Sequence, residues 1–168
     1  MRNFILIGPM GSGKTTVGKQ LAKRARMQFV DSDHMIEDRC GVSISTIFDI
    51  EGEEGFRKRE VKMLQELCDK TDMVLATGGG AITSEENRIL LRKTGYVVYL
   101  QTSIETQLAR TQKTRNRPLL ENVDAQEKLT ELMEQRGKLY EQEADLIVKS
   151  GDRVVAKVVD EILQAVEK

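Results

Sequence analysis

The sequence contains no tryptophan, only two cysteines, two prolines and one histidine among its 168 residues. Cys40 and Cys68 do not form a C-x-x-C pair, so neither a disulfide framework nor a zinc site is expected. Lys and Arg number 26 against 27 Asp and Glu, so no excess charge of one sign favours nucleic acid or a membrane surface. Three tyrosines and four phenylalanines are also few for stacking on bases. These scarcities disfavour a nucleic-acid-binding role.

Long apolar runs are missing as well. No stretch approaches the length of a transmembrane helix, and a predicted strand begins so early that no room is left for a signal peptide. We therefore expect a cytoplasmic protein whose two cysteines are buried or half-buried thiols in a reducing compartment. With 39% hydrophobic and 32% charged residues, the composition is typical of a globular protein, and its length predicts a single domain over residues 1–168.

The clearest motif is Gly8-Pro-Met-Gly-Ser-Gly-Lys-Thr15, which fits the phosphate-loop pattern G-x-x-x-x-G-K-[ST]. An apolar run at 4–7 predicts a buried strand before it, and the apolar spacing in 17–25 predicts a helix after it. A glycine-rich turn that matches by chance is the alternative. The strand before the motif and the helix after it favour a nucleotide site with its phosphate loop at 8–15.

The chemistry of such a loop assigns a role to each residue type. The glycines allow the backbone to curl so that several N–H groups and the helix N-terminus point at one phosphate. We expect Lys14 to reach the β- and γ-phosphates of ATP and the Thr15 hydroxyl to bind Mg²⁺. The expected nucleotide-binding residues of the loop are Gly11, Ser12, Gly13, Lys14, Thr15 and Thr16.

The rest of the chain alternates between strand and helix patterns. Strands are predicted at 3–7, 28–30, 73–76, 96–100 and 145–148. Helices are predicted at 14–25, 33–40, 84–93, 103–111, 125–143 and 153–167, and at 44–68 with a break near Gly52 and Gly55. Five short strands separated by helices predict an α/β fold with a doubly wound parallel sheet. Right-handed crossovers should place helices on both faces of that sheet.

Two carboxylates, Asp31 and Asp33, follow the second predicted strand. Ligands in open α/β sheets bind at the carboxyl ends of strands, so both side chains should face the same crevice as the phosphate loop. One could serve hydrated Mg²⁺ and the other an acceptor hydroxyl. Asp33 could instead be only the N-cap of the next helix. No apolar strand ends in Asp in the usual Walker-B manner, so we assign the metal role to Asp31.

The third predicted strand runs into Gly78-Gly79-Gly80. Three consecutive glycines are costly in backbone entropy, and they favour a close approach between the backbone and a ligand. A plain flexible loop is the alternative.

Asp49-Ile-Glu-Gly52 and Asp38-Arg-Cys-Gly41 fit the D-x-x-G element of GTPases. Neither follows a strand and no N-K-x-D motif occurs, so a GTPase is excluded.

Three further features each allow two interpretations. Arg57 and Glu60 are three residues apart and could form a surface ion pair on a helix. Arg136 falls on the same helical face as several apolar residues, so it either extends its charged end to solvent or pairs with an anion. The basic segment 111–118 is either an exposed loop or a lid, at about 111–124, that brings arginine to a transferring phosphate.

Taken together, these motifs closely resemble the shikimate kinase family. The resemblance rests on the phosphate loop, Asp31-Ser-Asp33, Phe56-Arg57-x-x-Glu60, the triple glycine, Arg117-Pro-Leu-Leu120 and Arg136-x-x-x-Tyr140, and it spans nearly the whole chain. It implies the P-loop NTPase-type three-layer fold of nucleoside-monophosphate kinases, with a five-stranded parallel sheet, a helical substrate-binding segment at about 33–61 and a lid. The implied reaction is ATP plus shikimate giving ADP plus shikimate 3-phosphate.

The resemblance also implies roles for individual residues. Asp33 would hold the acceptor hydroxyl and take its proton, and Arg57 and Arg136 would bind the substrate carboxylate. The backbone of Gly79, in the Gly78–Gly80 turn, would meet the substrate. Arg117 would contact the γ-phosphate together with Lys14. Arg110 and Arg153 would flank the adenine, and Glu60 would orient Arg57. A monomer is expected. The alternatives are another small-molecule kinase of this fold, such as a gluconate kinase, and a degenerate nucleotide-binding module that regulates a partner.

Overall fold

The computed structural model describes residues 2–111 and 124–167. Its strands are β1 (Asn3–Ile7), β2 (Gln28–Asp31), β3 (Met73–Ala76), β4 (Gly95–Gln101) and β5 (Leu146–Lys149). Its α-helices are α1 (Lys14–Ala25), α2 (Ser32–Cys40), α3 (Ile44–Leu67), α4 (Glu85–Thr94), α5 (Ile104–Thr111), α6 (Ala125–Glu143) and α7 (Val155–Glu167). A short 3₁₀ helix at Ala81–Thr83 follows β3. Residues 112–123, which include most of the predicted lid and Arg117, lie outside the described residues.

The five strands form one parallel sheet in the order β2-β3-β1-β4-β5, which confirms the predicted α/β architecture. In its register, Asp31 at the end of β2 pairs with Ala76 at the end of β3, and Leu6 of β1 also pairs with Ala76. The carboxyl ends of β1, β2 and β3 are therefore level. The phosphate loop, the Asp31–Asp33 pair and the glycine turn all leave the sheet at that edge.

Helices cover both faces of the sheet, as predicted. Alternate side chains of β1 enter two separate cores because successive strand residues point to opposite faces. Ile5 and Ile7 pack with α3, α4 and α6 on one face. Phe4 and Leu6 pack with α1 and α7 on the other. The strands thus carry an almost continuous apolar sequence, because a parallel sheet between two helical layers is buried on both sides.

Several predicted boundaries differ from the structure. The long helix α3 is interrupted only at Gly52, which has φ 74° and ψ 178°, whereas Gly55 is helical. The 3₁₀ turn at Ala81–Thr83 was not predicted, and α7 begins at Val155 rather than at residue 153. Cys40 and Cys68 are free and half-buried, as expected. In the part of the chain that the structure describes, no helix combines the length and apolarity needed to span a membrane.

Candidate active site

The phosphate loop joins β1 to α1 and depends on glycine for its shape. Gly8, Gly11 and Gly13 have φ angles of 148°, 79° and 90°, which L-residues with side chains rarely adopt. Gly13 is the N-cap of α1 and no side chain caps that helix end. The N–H groups of the first helical turn are thus left for a ligand, which is the arrangement that binds phosphate. Lys14 folds across the loop, with Nζ 2.7 Å from Gly8 O and 2.9 Å from Pro9 O.

A cavity of about 400 Å³ lies over this loop, large enough for a nucleotide. Arg110 forms part of its wall and links two segments, with Nη1 donating to Gly11 O at 2.8 Å and Nη2 to Gly151 O at 2.7 Å. Ser150 also lines the cavity, and its hydroxyl donates to Ser12 O at 2.7 Å. Ser150 and Gly151 are not among the site residues predicted from the sequence. Their position just after the last predicted strand could have identified them, because ligands bind at the carboxyl ends of strands in such sheets.

Arg153 lines the same cavity from the loop before α7. Its Nη1 donates to Lys149 O at 3.0 Å and to Glu161 Oε2 at 2.8 Å, so it is tied to α7 and to the end of β5. The expected nucleotide residues in the described part of the chain therefore surround one cavity; they are Gly11, Ser12, Gly13, Lys14, Thr15, Thr16, Arg110 and Arg153.

Asp31 lies beside Thr15 and also caps α2. Thr15 Oγ1 is 3.3 Å from Asp31 Oδ2, while Asp31 Oδ1 accepts hydrogen bonds from the backbone N–H groups of Asp33 and His34. The interpretation of Asp33 as the N-cap is therefore wrong, because β2 extends through Asp31 and α2 begins at Ser32. Asp31 has one oxygen for the cap and one directed at the Thr15 hydroxyl.

The oxygen atoms of Thr15 and Asp31 are of the kind that Mg²⁺ prefers. Within residues 2–111 and 124–167, no three side chains of His, Cys, Asp or Glu are grouped so as to hold a metal ion. A cation at Thr15 and Asp31 would need further ligands from water and nucleotide phosphates, which is the usual mode for Mg²⁺ in kinases.

A second cavity, of about 280 Å³, adjoins the first. The two share five lining residues: Met10, Asp31, Asp33, Gly78 and Gly79. Asp33 is close to Gly78, since a Cβ placed on Gly78 would lie 2.6 Å from Asp33 Oδ1. The carboxylate of Asp33 thus stands where the two cavities meet.

Arg57 and Glu60 form an ion pair in the wall of the second cavity. Arg57 Nη1 donates to Glu60 Oε1 at 3.0 Å, and Nη2 lies 3.3 Å from Glu53 Oε1. The Glu60 side chain is only 1% exposed, so the surface-pair interpretation is wrong. Burial raises the pKa of Glu60 to about 7, the Arg57 guanidinium opposes that rise, and the Asp33 carboxylate adds to it.

Arg136 reaches the second cavity from α6, on the opposite side of the glycine turn. It lies on the inward face of the helix with Leu129, Leu132 and Tyr140, as predicted, and is 5% exposed. Within the described residues its Nε has no hydrogen-bond partner. A buried guanidinium nitrogen without a hydrogen-bond partner is costly, so this position favours an anionic ligand.

The glycine turn lies between these charged groups. A Cβ on Gly80 would be 2.2 Å from Arg57 Nη2, and a Cβ on Gly78 would also be 3.0 Å from Glu60 Oε2. The carbonyl of Gly79 accepts a 2.5 Å hydrogen bond from the Tyr140 hydroxyl. The three glycines therefore allow side chains from α2, α3 and α6 to meet against the backbone, and the turn leads directly into a 3₁₀ helix rather than into a long loop.

The remaining wall of the second cavity is apolar. It includes Ile44, Phe48 and Phe56 from α3, and the two phenylalanine rings are 5.1 Å apart. The sequence analysis did not single out Ile44 or Phe48 as site residues, although their four-residue spacing places them on one helical face. The cavity thus combines two guanidinium groups with an apolar side and the carboxylates of Asp31, Asp33, Glu37 and Glu60, which suits a small polar ligand that carries an acid group.

The site and the fold match known proteins. The family model described as "Shikimate kinase" matches residues 10–167. A shikimate kinase of Vibrio parahaemolyticus is 50% identical over 167 residues, which cover 99% of this chain and 97% of that protein. One from Thioalkalivibrio sulfidiphilus is 55% identical over 95% of this chain and 84% of that protein.

Solved structures give the same result. Shikimate kinase from Acinetobacter baumannii in complex with shikimate has a TM-score of 0.97 and 45% identity, covering 99% of this chain and 93% of that chain. Shikimate kinase from Aquifex aeolicus has a TM-score of 0.85 and 37% identity, and the match covers 98% of this chain and 96% of that chain. A deoxyadenosine kinase from M. mycoides, at 14% identity and a TM-score of 0.64, shares the fold only.

Proposed function

The chain belongs to the shikimate kinase family, and we infer from this membership that it transfers the γ-phosphate of ATP to the 3-hydroxyl group of shikimate. The products are ADP and shikimate 3-phosphate, in the shikimate pathway to chorismate and aromatic amino acids. The family match extends over nearly the whole chain. One of the solved relatives was crystallised with shikimate.

One structural observation carries the proposal. Two adjoining cavities, one over a phosphate loop and one lined by two arginines, share Asp33 at their junction. Phosphoryl transfer requires a donor and an acceptor to be held next to each other in line, and most of the catalytic effect comes from this positioning and from charge neutralisation. The position of Asp33 at this junction supports a role for its carboxylate at the acceptor hydroxyl, next to the γ-phosphate.

On the acceptor side, Arg57 and Arg136 bind the carboxylate of shikimate. Both guanidinium groups line the second cavity, one from α3 and one from α6. Arginine suits a carboxylate because its planar fork can form two parallel hydrogen bonds. The Gly78–Gly80 backbone closes the cavity between them, and Glu60 orients Arg57 through the 3.0 Å hydrogen bond.

At the junction, Asp33 holds the acceptor hydroxyl and accepts its proton. The hydroxyl oxygen then forms a bond to the γ-phosphorus while the bond between that phosphorus and the oxygen bridging to the β-phosphate breaks, so ADP leaves. The proton ends on the Asp33 carboxylate and passes to solvent. General base catalysis of this kind contributes about 10²- to 10⁴-fold.

On the nucleotide side, Lys14 and the N–H groups of the loop bind the phosphates, and Arg110 and Arg153 flank the adenine. Thr15 and Asp31 hold Mg²⁺, consistent with their adjacent oxygen atoms. When bound, the cation would neutralise charge on the β- and γ-phosphates. Arg117, outside the described residues, would contribute a further positive charge at the γ-phosphate, with Lys14.

The organisation of the chain follows from these roles. We assign the phosphate loop to residues 8–15, the substrate-binding segment to about 33–61 and the lid to about 111–124, within one kinase domain. Lid closure would exclude water and suppress hydrolysis of ATP.

We also propose a cytoplasmic monomer. Among the described residues, the exposed large apolar side chains are scattered over different segments rather than forming a stripe; they are Val42, Ile50, Ile89, Ile147, Val154 and Val166.

Coupled measurement of ADP release with Mg-ATP tests the proposal. Shikimate, gluconate and no acceptor are compared at equal enzyme concentration. Strong release with shikimate alone is the expected result. Release with gluconate instead would identify a different small-molecule kinase. ATP binding without release for either acceptor would favour a regulatory nucleotide-binding module.

A further inference from the structure

Tyr140 lies in α6 behind the acceptor cavity and is firmly held. Its side chain is 1% exposed. The ring stacks on Tyr99 of β4, with the ring centroids 5.0 Å apart and the planes inclined by 27°. Because β4 pairs with the central strand β1, this stack joins α6 to the middle of the sheet. A phenylalanine would fill the same space and stack equally well.

The hydroxyl group of Tyr140 is therefore the part that needs an explanation. Burying a hydroxyl costs free energy unless it is hydrogen-bonded. This one donates to Gly79 O at 2.5 Å, and the Arg136 guanidinium, one helical turn earlier, is near enough to lower the pKa of the hydroxyl, against the effect of burial. A tyrosine hydroxyl can donate and accept at once, so it can connect the guanidinium to the carbonyl. Burial raises the pKa of Tyr140 to about 12, so the donated proton is retained at neutral pH.

Gly79 and Arg136 are also direct neighbours across the cavity. A Cβ on Gly79 would lie 3.7 Å from Arg136 Nη1. Both residues line the second cavity, although one follows β3 and the other lies on α6. In the described residues, the Arg136 Nε atom has no partner of its own. The Tyr140 hydroxyl supplies a hydrogen bond between α6 and the glycine turn.

We propose that Tyr140 is a positioning residue for the acceptor: its hydroxyl holds the Arg136 guanidinium and the Gly79 backbone in one arrangement before the substrate carboxylate arrives. This inference rests on the proposed function of Arg136. A binding group that is already held in place loses less entropy when the ligand binds, so removal of the hydroxyl should weaken the acceptor and leave the nucleotide site as it is.

The test compares Tyr140→Phe with Tyr99→Phe in the full-length enzyme. Each variant removes one hydroxyl from the same ring stack, and Tyr99 lines neither proposed substrate cavity. For Tyr140→Phe we expect KM for shikimate to rise about 3- to 10-fold, the effect of losing one hydrogen bond. We expect kcat and KM for ATP to stay within about twofold. Tyr99→Phe should leave all three constants within about twofold.

A double-mutant cycle with Arg136→Lys separates positioning from general stability. Shikimate dissociation constants are measured by calorimetry for the single and double variants. If Tyr140 acts through Arg136, the combined loss should be smaller than the product of the two single losses. A combined loss equal to the product of the two single losses would overturn the proposal.

Other outcomes also decide the matter. The proposal is wrong if Tyr140→Phe raises the shikimate KM no more than Tyr99→Phe does. It is also wrong if Tyr140→Phe fails to fold, since the hydroxyl would then serve the stability of the core. Wild-type enzyme without shikimate-dependent turnover would instead refute the proposed function, so the two failures are distinguishable.

Discussion

Arg57 and Glu60 form an ion pair of unequal exposure: the Arg57 side chain is 23% exposed at the acceptor cavity, whereas its partner Glu60 is 1% exposed behind it. The 3.0 Å bond from Arg57 Nη1 therefore fixes the guanidinium from the protein side. Its Nη2 atom lies 3.3 Å from Glu53 Oε1, and the side chain lines the cavity. The pair thus presents a cation to a ligand while the buried carboxylate holds that cation in place.

Arg57→Ala should raise the shikimate KM by at least about 100-fold, because a charge-assisted pair with a carboxylate is lost. KM for ATP should change by less than about threefold, since Arg57 does not line the nucleotide cavity. Steady-state kinetics with each substrate varied in turn would measure both constants. Arg59→Ala is the matched control on the same helix, because Arg59 pairs with Glu51 and lies outside both cavities. An unchanged shikimate KM in Arg57→Ala would refute the assigned role.

Arg57→Ala also leaves Glu60 buried without its partner, which can destabilise the fold. Arg57→Lys keeps the charge but loses the planar fork, so it should show a smaller rise in the shikimate KM with normal stability. Thermal unfolding of both variants separates the binding defect from a folding defect.

Gly80→Ala should displace the Arg57 guanidinium, because the added Cβ would lie 2.2 Å from Nη2 and 2.5 Å from Cζ. We expect the shikimate KM to rise about 10-fold or more, because the displaced Arg57 guanidinium would no longer meet the substrate carboxylate in the right geometry. The change in kcat should be smaller. Gly137→Ala provides the control, since its Cβ would meet only the flexible side chain of Met133 in α6. Equal kinetics for Gly80→Ala and Gly137→Ala would show that the close approach at Gly80 has no functional role.

Asp33→Asn should lower kcat by about 10²- to 10⁴-fold while both ligands still bind, because the amide has a similar shape but accepts no proton. Binding would be measured by calorimetry and turnover by ADP release. Asp38→Asn, an exposed position on the same helix that pairs with His34, should behave like the wild-type enzyme. Near-normal turnover of Asp33→Asn would exclude Asp33 as the group that takes the proton.

Asp31→Asn should separate the metal role of Asp31 from its helix-capping role. Asparagine caps helices about as well as aspartate, so α2 should remain intact. Loss of the negative charge beside Thr15 should raise the Mg²⁺ concentration needed for half-maximal activity by about 10-fold. A titration of activity with Mg²⁺ at saturating ATP and shikimate measures this shift. If the wild-type enzyme and Asp31→Asn needed the same Mg²⁺ concentration for half-maximal activity, Asp31 would not be part of the metal site.

The pKa of Glu60 predicts a specific dependence of stability on pH. Its folded-state pKa is raised from 4.5 to about 7, so folding favours the protonated form. This contribution to the free energy of unfolding is complete below pH 4.5 and is lost as the pH rises through about 7. At about 1.4 kcal/mol per pKa unit, the loss is at most about 3.5 kcal/mol.

Urea unfolding at pH 5 and pH 8 tests this dependence. Between these two values, wild-type protein should lose more stability than Glu60→Gln, which cannot titrate. Glu66→Gln is a suitable control on the same helix: because Arg39 lowers the pKa of Glu66, this carboxyl is already ionised at pH 5, and the variant should lose as much stability as the wild-type protein. Parallel losses in the wild-type protein and Glu60→Gln would contradict the raised pKa.

Local features of the chain were predictable because their causes are local. The apolar strands, the Gly-rich phosphate loop and the α1 helix follow from side-chain periodicity and from glycine geometry, and each lies at or within two residues of its expected bounds. The break in α3 was predicted near Gly52 and Gly55, and it lies at Gly52, whose φ of 74° with ψ of 178° is a combination adopted essentially only by glycine. The alternative that Asp33 is only the N-cap of α2 is wrong, because the last residue of β2, Asp31, is the cap.

The sequence by itself determined the elements, their alternation and the residue types that handle phosphate and carboxylate groups. Only the tertiary structure decided which of them meet. Asp33, Gly78 and Arg136 come together because β2, β3 and β1 end level and α6 packs against the 3₁₀ helix that follows β3. The spacing of Arg57 and Glu60 predicted a pair, but its burial depends on the glycine turn packed against it. Burial and pKa are set by contacts between residues far apart in the chain, and those contacts exist only once the sheet has formed.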